Sequence, residues 1–163
     1  MILDKQIGVF LNLVHNRFKQ HFATLFLEKG YNITPEQFLV MDTLWNDGAK
    51  MSQQQIADTI IKDKNSVVKL IDGLEKKELV KRVANVDDRR QNLIELTPLG
   101  KEIEENVKEI AMNAVGTITE GISIQELHTF INVLTKMACN MNVETNLMEL
   151  TNNQTNQNNG QTI

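Results

Sequence analysis

Apolar residues recur at helical spacing over most of this chain of 163 residues. Ile7, Phe10, Leu11, Val14, Phe18, Phe22, Leu25 and Phe26 fall mostly at steps of three and four and predict a long amphipathic helix near the N-terminus. Thr34-Pro35-Glu36-Gln37 is a capping box with proline at the first helical position, opening a helix through Phe38, Leu39, Met41, Leu44 and Trp45. Ser52 and Gln55 form a second box, ahead of the stripe Ile56, Ala57 and Ile60. Asp63 is the expected N-cap of another helix, where its charge suits the positive end of the dipole. In that helix Val67, Leu70, Ile71 and Leu74 make one core-facing stripe.

The period then changes. From Leu79 to Ala84 the residue types favour a strand, with Val80 and Val83 β-branched. Asn85 to Arg90 is turn-like, and Leu93 to Thr97 reads as a return strand with a less regular alternation. Thr97-Pro98 starts a long helix carrying Leu99, Ile103, Val107, Ile110, Ala114 and Ile118, expected to end near Gly121. Ser123 with Glu126 is a further capping box, followed by Leu127, Phe130, Ile131, Leu134, Met137 and Met141. Beyond about Asn146 the chain is polar and rich in Asn, Gln and Thr, which predicts a disordered tail.

Helix, helix and charged hairpin within about fifty residues make a winged helix-turn-helix. The fold class expected is mainly α with a small β-hairpin wing. On the face of the second short helix opposite its core stripe lie Asn65 and Lys69, with Lys64, Ser66 and Val68 nearby. Short polar and cationic groups there can reach base edges and phosphates. An ordinary amphipathic helix with a solvated polar side is the alternative. Arg89 and Arg90 at the hairpin tip have no local core to serve; either Asp87 and Asp88 neutralise them, or a carboxylate aims an arginine at a narrow minor groove.

Ser52 to Gly100 resembles the DNA-binding lobe of the multiple-antibiotic-resistance regulator (MarR) family. The residues that carry the resemblance are Gln55-Ile56-Ala57, Leu74-Glu75-Lys76-Lys77-Glu78-Leu79-Val80-Lys81-Arg82, Asp88-Arg89-Arg90 and Leu96-Thr97-Pro98-Leu99-Gly100. Upstream, Ile33 to Phe38 fits the start of the family's winged domain. The resemblance implies that Arg90 enters the minor groove and that Asp88 holds it. Glu78 stands where the family usually has glycine, so a different helix ending is expected there.

The same resemblance implies a homodimer in which the first helix and the last two intertwine with a second copy. It divides the chain into an N-terminal dimerisation helix (1–32), a winged lobe (33–97), C-terminal dimerisation helices (98–145) and the tail (146–163). Two recognition helices would then stand about 34–36 Å apart and read a pseudo-palindrome in double-stranded DNA. Family members are often released from DNA by small, frequently phenolic anions bound between the lobes. Phe10, His15, Phe18, Phe22 and Trp45 are the candidates to line such a cleft, with apolar core as their other role.

Charge bears on this reading. The net charge of −4 looks unsuited to DNA, but residues 62–101 hold ten cations against seven acids. That local +3 leaves −7 elsewhere, so the basic surface is concentrated where phosphates would be met. Cys139 is the only cysteine and excludes an intrachain disulfide; beside Met137, Ala138 and Met141 it reads as a packing residue. His15, His21 and His128 are poorly spaced as a metal set, so a metal-responsive regulator is a lesser alternative and no cofactor is expected. No phosphate-binding glycine loop or nucleophile elbow supports an enzyme. A winged-helix module for protein contact is the remaining alternative. With no apolar run of about 18 residues and no signal-peptide order at the start, a cytoplasmic location is expected.

Overall fold

The computed structural model describes residues 2–48, 50–86, 88 and 91–141. Its elements are α1 (Ile2–Glu28), α2 (Pro35–Asp47), β1 (Met51–Ser52), α3 (Gln53–Thr59), α4 (Lys64–Glu75), β2 (Val80–Ala84), β3 (Asn92–Leu96), α5 (Pro98–Glu102), α6 (Glu104–Ile118) and α7 (Ile124–Asn140). They form two compact units, one ending at Ile118 and the other starting at Thr119. No helix among the described residues is long and apolar enough to cross a membrane.

Three helices begin with the reciprocal caps that the sequence predicts. Thr34 Oγ1 accepts from the Gln37 N–H at 3.2 Å while Gln37 Oε1 accepts from the Thr34 N–H at 3.2 Å. Ser52 and Gln55 repeat the arrangement at α3, and Ser123 and Glu126 at α7. Each box pairs two N–H groups that the helix itself leaves without partners. Inside the first unit the fully buried Phe26, Met41, Leu44, Ile56, Ile71 and Leu74 come from α1, α2, α3 and α4 and share one core with Ile94 and Val107.

The sheet has the order β1-β3-β2 and is antiparallel throughout. β2 and β3 form the hairpin, in a register that pairs Val80 with Leu96 and Val83 with Leu93. β1 is a strand the hydrophobic pattern does not announce. Two residues are too few to show a period, and it exists because Met51 is buried opposite Ile94.

The expected single helix after Thr97 is interrupted at Ile103. Trp45 Nε1 donates to the Gly100 carbonyl at 2.9 Å, the oxygen that an unbroken helix would offer to Glu104. The start of α5 is pinned as well. The Thr97 N–H donates to the Leu79 carbonyl at 3.1 Å, and Thr97 Oγ1 donates to the Glu78 carbonyl at 2.6 Å. A β-carbon on Gly100 would sit far inside contact distance of that Leu79 oxygen.

Glu78 takes φ 60°, the left-handed conformation that glycine adopts at such a helix end, so the expected departure in geometry does not occur. Ile61, in the turn between α3 and α4, has φ 54°. An L-residue pays roughly 1–2 kcal/mol in that region, while glycine loses about 0.5–1 kcal/mol more entropy on folding. Glu78→Gly is therefore expected to stabilise the protein by about 0.5–1 kcal/mol. Thermal denaturation checks it: an unchanged or lower Tm would show that glutamate is at ease there.

Candidate nucleic-acid interface

The exposed end of α4 is built by its cap. Asp63 Oδ1 accepts from the Ser66 N–H at 2.9 Å and Asp63 Oδ2 from the Ser66 hydroxyl at 2.6 Å. These bonds, the hydroxyl's first and the backbone N–H's second, hold the Asp63 carboxyl below its usual range. Lys64, Asn65 and Lys69 are exposed beyond it, while Ser66 is half-buried with both its donors committed to Asp63. Of the predicted helix residues, three stand free to meet a duplex, and Ser66 serves first to fix the helix start.

The wing hairpin, β2 and β3, packs against this helix through β2. Glu95 on β3 pairs with Lys50 at 2.7 Å and Lys81 at 2.8 Å, and these bonds hold its carboxyl down at about 2. Toward the hairpin tip, the Asp88 carbonyl accepts from the Gln91 N–H at 3.0 Å and its carboxylate from Gln91 Nε2 at 3.1 Å. Arg89 and Arg90 lie outside the described residues, as does Asp87.

Residues 33–91 match the model of the MarR family, a span that takes in α2, α3, α4 and β2. Over this span the chain is similar to the MarR family. Solved MarR-like structures superpose on it closely. A probable transcriptional regulator from Pseudomonas aeruginosa is 27% identical with a TM-score of 0.73, aligned over 83% of this chain and 98% of its own. A mutant MarR from E. coli, complexed with operator DNA, is 21% identical with a TM-score of 0.73, over 81% of this chain and 93% of its own. BpsR of Bordetella bronchiseptica, whose DNA binding is regulated by 6-hydroxynicotinic acid, is 23% identical with a TM-score of 0.70, over 82% and 98%. The latter two share the fold.

Of the five residues proposed for a ligand cleft, Phe18 and Phe22 touch each other, but the five do not line one cavity in this MarR-like fold. Phe22 and Trp45 are buried, Phe22 stacked against Phe18 with centroids 4.6 Å apart and Trp45 bonded to Gly100 beneath Lys108. Phe10 and His15 are exposed along α1. Phe18 alone of the five lines a cavity of about 600 Å³, with Leu13, Val14, Arg17, His21 and Ile118 among its other walls. Inside the first unit, the buried Nε2 of His21 has no hydrogen-bond partner.

Sequence reasoning counted Arg82 only as a cation of the motif and missed what it does. Val80, Arg82 and Ala84 share one face of β2, so Arg82 shares the face of the buried Val80. An arginine at a position of core parity was the available signal. It meets Asp72 and Glu75 of α4.

Proposed function

We propose that this chain is a homodimeric, sequence-specific transcriptional regulator of the cytoplasm, a repressor that binds a pseudo-palindromic operator and leaves it when a small aromatic or other anionic molecule binds. The observation that carries the reading is α4, which packs on β2 of the hairpin and presents Lys64, Asn65 and Lys69 at its exposed end, within the segment that matches the MarR model. Asn65 suits a base edge, where its carboxamide can both donate and accept. Lys64 and Lys69 suit phosphates, Ser66 holds the helix start, and Arg89 and Arg90 serve the wing with Asp88 as orienter.

Dimerisation is supported by surfaces left uncovered in one copy. No residue of α7 is buried although Phe130, Ile131 and Met141 lie on it or beside it, and Phe10, Leu13 and Val14 of α1 are exposed. For the effector, the α1 cavity combines apolar walls with the cation of Arg17 and the imidazole of His21, a chemistry suited to an aromatic acid.

The deciding experiment is fluorescence anisotropy with duplex DNA from upstream of the protein's own gene and a scrambled duplex, at two salt concentrations. A preference of ~10³ or more supports the operator-binding reading. Equal, steeply salt-sensitive binding to both refutes it for that DNA. Lys69→Ala is expected to weaken selected and scrambled duplexes alike and to reduce the log–log salt slope by about 1, the loss of one phosphate contact. A loss confined to the preferred sequence would instead assign Lys69 to a base.

A further inference from the structure

Asp72 and Glu75 are awkwardly placed. They lie in the last turn of α4, which has no basic residue there, and the negative end of the helix dipole disfavours carboxylates. Asp72 also continues the stripe Asn65, Lys69, Asp72, Lys76, whose steps of four, three and four keep one face of the helix. A carboxylate on the stripe that is to meet phosphates works against binding.

One residue answers both acids. The Arg82 guanidinium donates to Asp72 Oδ1 at 2.5 Å and, through its other terminal nitrogen, to Glu75 Oε2. The Arg82 main-chain N–H donates to Glu75 Oε1 at 3.2 Å. Glu75 thus grips both backbone and side chain of one β2 residue. The Arg82 side chain is only 22% exposed, against 48% for Asp72. A screened, monodentate surface pair holds little; a partly buried fork closed on two carboxylates and reinforced by a main-chain bond fixes geometry.

We propose that Arg82 is a positioning residue for DNA recognition: it locks α4 to β2, so that reading helix and wing meet the duplex at one angle, and it neutralises Asp72 on the reading stripe. The inference rests on the DNA-binding reading above. It separates two roles among the basic residues: Lys64 and Lys69 face outward to touch the duplex, whereas Arg82 faces the helix and acts through it.

The test compares wild type, Arg82→Gln and Arg82→Lys by two measurements. The first is the affinity for a duplex that the wild-type protein selects from a random library, relative to a scrambled duplex. The second is amide hydrogen exchange. For Arg82→Gln the preference should fall by roughly tenfold, about the discrimination of one good base contact. Exchange should quicken at Arg82, Val83 and Leu93 but not in α2 or α6. Arg82→Lys keeps the charge without the fork and should recover only part of the preference; it also serves as the variant if Arg82→Gln does not fold. A lower Tm with an unchanged preference would make Arg82 a structural tie only and overturn the proposal. If the wild type selects no sequence, the regulator reading fails, and exchange then decides the clamp: unaltered exchange in Arg82→Gln overturns it.

Discussion

Gly100→Ala is expected to lower the unfolding free energy by about 3 kcal/mol or more, at the upper end of what overpacking costs. The added methyl would be driven against the Leu79 carbonyl oxygen, a main-chain atom that cannot rotate away. That same oxygen accepts from the Thr97 N–H, and the Thr97 hydroxyl accepts from the Gly100 N–H at 3.0 Å. Moving the chain at residue 100 therefore pulls on the cap of α5 and on the Trp45 bond together. Urea denaturation of the variant beside wild type measures the loss through the midpoint, at unchanged slope. A loss below ~1 kcal/mol would mean that α5 can slide without cost, contrary to the pinning by Trp45 and Thr97.

The second large effect concerns assembly. Ile131→Asp, alone and with Phe130→Asp, should convert the proposed dimer to a monomer, because it sets a carboxylate on the apolar face that α7 leaves uncovered. Two linked reading heads gain affinity because the second binds at high effective concentration, so the monomer should bind the selected duplex ~10²–10⁴-fold more weakly. Light scattering reports the mass and anisotropy the affinity. A wild-type protein that is already monomeric at micromolar concentration would sink the dimer. A variant that stays dimeric would move the interface off α7.

What was legible in the sequence was local. The boxes at Thr34, Ser52 and Ser123 are four-residue patterns, and each stands where the pattern put it. The stripe from Val67 to Leu74 also needs no knowledge of the rest of the chain, and three of its members are buried. The features that were not legible depend on partners far along the chain. β1 is a strand only because Ile94 lies across from Met51. The break at Ile103 follows from an indole that bonds Gly100 across fifty-five residues. Trp45 and Phe22 could have served a ligand by composition alone, but packing against Gly100 and Phe18 places them among the buried residues. The cavity on α1 collects residues one helical turn apart with Ile118, a juxtaposition that no spacing rule foretells.

Glu78 and Ile61 stand at the two ends of α4, each in a conformation that suits glycine better. Together they leave a reserve of roughly 1–2 kcal/mol that sequence drift can release without touching a residue that would face DNA. Close variants of this chain should tolerate warmer conditions once glycine or asparagine occupies either joint. Helix α4 is thus flanked by two positions from which the protein can be made more heat-resistant.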